Sequence, residues 1–162
     1  MPLTDLPVCV RILDNVVTTL QGINGSPTYY FSVAKVFDTG TIEAANDYPS
    51  IYVLPAETAE GVEGVNNATG TQGTTWALDI WGVIAKRDDT HRELLKLMHD
   101  IHKALLVNPS RGTFGGNANA IDTKWLSWSA FPNVDEQDLV AWVRMQVQVQ
   151  FRTSNQDMTI SR

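Results

Sequence analysis

One cysteine, Cys9, stands in 162 residues, so no disulfide within the chain can hold the fold together. A chain of this length buries about 70% of the surface that its unfolded form exposes, and it needs neither a metal nor a cross-link to fold. No run approaches the ~18 apolar residues of a membrane span, and the opening Met-Pro-Leu-Thr-Asp has neither the basic region nor the apolar core of a secretory leader. The expectation is a cytosolic protein with no membrane association. Lys and Arg are absent from Val36 to Ala85, a stretch that carries Asp38, Glu43, Asp47, Glu57, Glu60, Glu63 and Asp79. Residues 1–85 hold two bases against nine acids, and residues 86–162 hold ten against nine, so the net charge of −6 belongs to the first half. Such a surface repels phosphate backbones and offers no basic stripe for nucleic-acid recognition.

What is present is an ordinary globular composition, 43% hydrophobic and 19% charged, which excludes a disordered or collagen-like chain. Leu6, Val10, Leu13, Val17 and Leu20 recur at helical steps, with Asp5 as N-cap, Pro7 in the first turn and Gly22 as stop. Tyr29 to Phe37 and Tyr48 to Leu54 are rich in β-branched and aromatic residues and read as two neighbouring strands. Ala56 to Gly73, rich in Gly, Glu and Asn, reads as a long exposed acidic loop. Thr74 to Lys86 reads as a strand apolar on both faces, with Trp76 and Trp81 on opposite sides. Asp88-Asp89-Thr90 opens a second helix, with Thr90 and Glu93 in a capping-box pattern; Leu94, Leu97, Met98, Ile101 and Leu105 are its stripe, and Asn108-Pro109 ends it. Gly112 to Asn119 reads as a turn region. Ala120 to Phe131 follows as a strand with Trp125 and Trp128 on opposite faces. Trp142 to Phe151 alternates most strictly, Val143, Met145, Val147, Val149 and Phe151 against Arg144, Gln146, Gln148 and Gln150. A flexible tail is expected from about residue 153.

The element order predicts a single α+β domain over residues 1–162: a mainly antiparallel sheet of about five strands with two long helices packed on one face. Two helices cover one face only. Trp81 or Trp76, together with Trp125 or Trp128, is left on the other, and large apolar groups there imply an oligomer.

Chemistry is scarce. His91, His99 and His102 all lie on the second helix, and His99 and His102, three apart with Asp100 nearby, could supply two ligands of a metal site; no third ligand is visible. The bland alternative is a partly buried structural histidine. Cys9 sits inside the first helix without a histidine near it in sequence and reads as a packing residue. No Gly-x-Ser-x-Gly elbow, Gly-x-x-x-x-Gly-Lys loop or dinucleotide fingerprint occurs, and Gly112-Thr113-Phe114-Gly115-Gly116 leads toward a strand and not onto a helix. Glu57, Glu60 and Glu63, spaced at three, could pair as catalytic carboxylates but read more simply as a solvated loop. The residues point to no catalytic group, no metal and no cofactor.

The order of segments carries more. An opening helix with Arg11-Ile12-Leu13 is followed by Tyr48-Pro49-Ser50-Ile51-Tyr52-Val53 and an acidic insertion. Then comes Trp76-Ala77-Leu78-Asp79-Ile80-Trp81-Gly82-Val83-Ile84, which runs through Lys86-Arg87-Asp88 into the helix from Leu94 to Leu106, and the alternating strand Trp142 to Phe151 closes the series. Over roughly residues 6–152 this chain resembles the tail terminator, or tail completion, proteins of long-tailed bacteriophages. It departs from their pattern after Phe151, where no proline follows. The resemblance implies a structural virion protein and not an enzyme: a ring, generally of six subunits, that caps the tail tube, stops its polymerisation and presents a surface to the head connector. The implied partners are further copies of the chain, the tail tube protein and the head-tail connector, with DNA passing through the ring without sequence-specific binding. The implied location is the head-proximal end of the virion tail, assembled in the host cytoplasm. In that setting Trp81, Trp128, Gln146, Gln148 and Gln150 are the expected interface, and Glu57, Glu60 and Glu63 an acidic loop or lumen. A head-completion or adaptor ring of the phage neck is the nearest alternative, and a small enzyme or ligand-binding domain using the His99/His102 helix face is the more distant one.

Overall fold

The computed structural model describes residues 6–38, 47–61, 71–114, 117–132 and 139–154. In chain order the elements are α1 (Val8–Gln21), β1 (Lys35–Phe37), β2 (Ser50–Gly61), β3 (Thr71–Ala85), α2 (Thr90–Leu106), β4 (Thr113–Phe114), β5 (Asn117–Ala118), β6 (Asp122–Phe131) and β7 (Val140–Ser154). β4 and β5 form a small hairpin of their own, and the other strands form a five-stranded sheet in the order β1-β2-β3-β7-β6. β1 runs parallel to β2; the remaining three pairings are antiparallel. The fold is mixed α/β, a five-stranded sheet with helices of 14 and 17 residues.

Both helices lie on one face, because each is apolar on the side turned to the sheet and the sheet strands alternate in register with them. On β7, Ala141, Val143, Met145, Val147, Val149 and Phe151 are buried, and their cross-strand partners on β3 include Ile84, Gly82, Ile80 and Leu78. From α2, Leu94, Leu97, Ile101, Ala104 and Leu105 complete that core, close to the expected stripe. The buried stripe of α1 differs from the expected one: Val8, Ile12, Val16 and Leu20, four apart, are buried, while Leu13 and Val17 pack at its margin with Cys9. α1 is apolar over a broad arc, and the direction of the sheet, a tertiary property, selects which part of that arc faces inward. Among the described residues no helix is long and apolar enough to cross a membrane.

Several local expectations are corrected. Of the strand expected from Tyr29 to Phe37, only Lys35–Phe37 pairs in the main sheet. The backbone before it is spent elsewhere: Phe31 N donates to the Asp100 carboxylate (2.9 Å), Val33 N to Ile23 O (2.9 Å) and Ala34 N to Pro49 O (2.8 Å). Both ends of the acidic loop expected from Ala56 to Gly73 are strand, since β2 extends to Gly61 and β3, its antiparallel partner, begins at Thr71, with a register shift between Pro55 and Ala59; residues 62–70 lie outside the described residues. Pairing with the long β7 across Thr71–Ser154 supplies ladder hydrogen bonds that composition alone does not reveal. Of the tail expected from residue 153, Thr153 is buried and β7 continues to Ser154, while residues 155–162 lie outside the described residues. The capping box does not form: Thr90 Oγ1 accepts from Arg87 N (2.9 Å) and donates to Arg87 O, closing the turn before α2, and Glu93 pairs instead with Lys96 (2.6 Å). Gly112 to Asn119 contains the β4–β5 hairpin. Asp5, the expected N-cap of α1, lies outside the described residues, and Pro7 takes the cap position.

The end of α2 is fastened by Arg111, which is fully buried and adopts a positive φ of 54°. Its guanidinium donates to Leu105 O at the last turn of α2 and to Thr123 Oγ1 on β6 (3.1 Å), and its carbonyl accepts from Asn119 Nδ2 (2.9 Å). A cation at a helix C-terminus opposes the negative end of the helix dipole. Burial nevertheless pushes the Arg111 pKa down to about 10.

Candidate interaction surface

The helix-free face is built by the residues that alternate with the core. On β7 these are Trp142, Arg144, Gln146, Gln148 and Gln150, all half-buried. Register carries their side across the sheet: Trp81 lies opposite Arg144 and Tyr52, and Tyr52 lies opposite Phe37. One row therefore crosses all five strands, Phe37, Tyr52, Trp81, Arg144 and Ser129, and beside it run Val83, Trp142 and Phe131. Phe37 stacks on Tyr52 with centroids 4.7 Å apart, Trp81 stacks on Phe131 at 6.0 Å, and Trp142 meets Trp81 edge-on at 6.3 Å. The Arg144 guanidinium lies 5.6 Å from the Trp81 ring centroid and pairs with Asp79 at 2.6 Å. Tyr52 and Val83 are buried on this face although no helix covers it, since the neighbouring rings shield them.

The face thus has two unlike ends. At one end aromatic rings bury each other; at the other the row of Gln146, Gln148 and Gln150 runs between Asp79, Ala77 and Thr75 of β3 and Ser127, Lys124 and Asp122 of β6. Glutamine amides both donate and accept, so that end can pair with another surface without burying a charge.

The tryptophans are placed differently from the strict alternation expected of them. Trp76 faces the helix side, packed against the core, and donates from Nε1 to Ala56 O (2.9 Å). Trp81 is on the helix-free face, but neither Trp125 nor Trp128 joins it there. A register shift between Trp125 and Ser127 sets Trp125 opposite Val147 and Trp128 opposite Met145, so both lie on the helix side. The extra residue in the bulge is what returns position 128 to the face of position 125. Trp125 meets His102 at 5.6 Å. Both indoles stay substantially exposed, 45% and 41%, because β6 is the edge strand and α2 covers it incompletely.

That edge is the most apolar exposed surface among the described residues. Ile121, Trp125, Leu126, Trp128 and Phe131 are all at least 39% exposed within one eleven-residue stretch, 121–131. Phe131 turns to the helix-free face and stacks on Trp81, which links the edge strand to the aromatic end of that face. Monomeric proteins rarely leave a contiguous patch of this kind uncovered, and edge strands are normally blunted by charge; here the edge has Lys124, which lies 3.6 Å from Asp122.

The candidate metal residues are not assembled. His99 contacts Tyr30 (5.7 Å) while His102 contacts Trp125, and the Asp100 carboxylate faces Phe31 N. Among the described residues no group of three or more His, Cys, Asp or Glu is placed to hold a metal ion. Glu57 and Glu60 lie on β2, and Glu63 is outside the described residues. The sequence reading missed Phe37, Leu126, Phe131 and Trp142 as surface residues, and Tyr52 as a buried member of the helix-free face. For Trp142 the signal was present, since it shares the parity of Gln146, Gln148 and Gln150; for Leu126 and Phe131 the bulge hid it. Comparison with protein-family models and with curated proteins returns no match.

Proposed function

We propose that the protein is a structural ring subunit that caps a phage tail tube, ends its polymerisation and offers a surface to the head connector. The observation that carries this reading is the run of exposed apolar residues along the β6 edge, Trp125, Leu126, Trp128 and Phe131, of which Phe131 stacks on Trp81. A surface of that kind marks a contact site, and covering it with a different face of an identical subunit makes a heterologous contact, which forms a ring where the rotation between copies closes. The segment order that resembles tail terminators supplies the identity of the ring, and six copies is the number the resemblance favours. Gln146, Gln148 and Gln150 fit the polar rim of such a contact. The acids of the first half of the chain, Glu57, Glu60 and Glu63 among them, fit a ring through which DNA passes, because like charge keeps it from adhering.

The deciding experiment mixes the protein with its tail tube subunit and follows tube length by electron microscopy. Arrested growth with the protein at the tube end is expected. Continued growth with no binding overturns the assignment, and binding to the head connector without any effect on tube growth reassigns the chain as a neck adaptor.

A further inference from the structure

We infer that Asn24, in the turn after α1, is a site of spontaneous deamidation, a modification that leaves aspartate or isoaspartate at that position. The reaction needs the backbone nitrogen of the following residue to reach the carbonyl carbon of the asparagine side chain, and a Cβ on that residue stands in the way. Glycine has none. Of the asparagines in the chain, only Asn24 is followed by glycine.

The fold leaves both reacting groups accessible. Asn24 is exposed, and Gly25 holds a left-handed φ of 84°. Among the described residues neither the Asn24 side-chain amide nor the Gly25 N–H makes a hydrogen bond of good geometry. The bonds nearby fall on other atoms of the turn: Val33 N donates to Ile23 O (2.9 Å) and Tyr29 N to Gly25 O (2.9 Å). Other asparagines are guarded. Asn119 is buried and held at both side-chain atoms, Oδ1 accepting from Arg11 Nε (3.1 Å) and Nδ2 donating to Arg111 O (2.9 Å). Asn108 precedes Pro109, which has no N–H to give up.

The chemistry consumes only water. Gly25 N gives up its proton and bonds to Asn24 Cγ, the bond from Cγ to Nδ2 breaks, and the side-chain nitrogen leaves with that proton as ammonia; a cyclic succinimide remains. Water then opens the ring at one of its two carbonyl carbons. Attack at Cγ yields aspartate, and attack at the main-chain carbonyl yields isoaspartate, which routes the main chain through the side-chain carbons and lengthens it by one methylene. Either product adds a carboxylate to a chain of net charge −6. Isoaspartate also disturbs the pairing of Asn24 with Ser32, while Phe31 N on the Asp100 carboxylate and Lys103 Nζ on Thr28 O still fasten the loop to α2, so the change stays local to the turn.

The test is peptide mapping by mass spectrometry after the folded full chain has been incubated at neutral and at mildly alkaline pH, with isoaspartate counted by isoaspartyl methyltransferase labelling. The Asn24 peptide should convert before any other asparagine-containing peptide, and faster at the higher pH because the attacking nitrogen must lose its proton. Asn24→Gln, whose longer side chain closes a ring less readily, should lose the label. Circular dichroism checks the variant; should it not fold, the site-resolved map of the wild type decides alone. A second sample unfolded in urea separates sequence from structure: conversion of Asn24 in urea but not in the folded chain overturns the inference, because the fold then protects the site. Earlier conversion at a different asparagine of the folded chain overturns it too. None of these outcomes bears on the ring reading.

Discussion

Gly82 shows how a single atom can set the distance between layers. A Cβ there would sit 2.7 Å from Leu97 Cδ2, 3.0 Å from Val143 Cγ1 and 3.2 Å from Ile101 Cδ1, so the absence of a side chain is what allows α2 to rest on β3. Gly82→Ala should lower stability by about 1–3 kcal/mol through overpacking, measured as a fall in the urea midpoint without a change in slope. Arg111 holds a different kind of joint. Arg111→Lys keeps the charge and loses the fork that reaches Leu105 O and Thr123 Oγ1 together, at an expected cost of about 1–3 kcal/mol. The sign of its pH dependence follows from its lowered pKa. Burial disfavours the cation in the folded state, so this unfavourable contribution is fully present below about pH 10 and is relieved only as the pH rises through and beyond that value. The wild-type profile should therefore carry no Arg111 titration between about pH 5 and 9, whereas a lysine buried at the same place starts from an ordinary pKa of about 10.4 and loses its proton at lower pH, so the deficit of Arg111→Lys should narrow toward the alkaline end of that range. Neither role was legible in the sequence. A glycine inside a strand and an arginine beside a glycine are ambiguous until the elements that meet there are known.

At the scale of elements, periodicity identified α2 and β7 because each is apolar along one well-defined line. It identified α1 but misaligned its inner face, since an arc holding Leu6, Val8, Val10, Ile12, Leu13, Val16, Val17 and Leu20 admits more than one buried stripe. The β2–β3 hairpin was hidden by its own composition, as Gly, Glu and Thr carry little strand preference and the pairing with β7 overrides it. The bulge in β6 was hidden for a related reason: parity counting assumes a regular strand, and one inserted residue inverts every assignment after it. Leu126, the inserted residue, is 47% exposed at the sheet edge. Leu126→Lys should leave the melting temperature within a few degrees of wild type and reduce self-association in light scattering, because a lysine on an edge strand opposes pairing with a second chain. A wild-type mass for this variant across the concentration range would remove the β6 edge from the interface.

For the whole molecule, the surface is more informative than any cluster of titratable groups. The apolar β6 edge adjoins a helix-free face whose one end is aromatic and whose other end is the glutamine row, an arrangement that fits contact with a neighbouring molecule. The tube-growth experiment and the Leu126→Lys variant address that arrangement directly. The α+β class, the two helices, the clearest strands and the acidic first half of the chain were determined by the sequence alone, because period, composition and charge are properties of neighbours along the chain. The strand order, the parallel β1–β2 pair, the inner face of α1 and the side to which each tryptophan turns were decided only by the tertiary structure. These depend on register and on a single inserted residue, which fix contacts between positions far apart in the chain and leave no periodic trace within it.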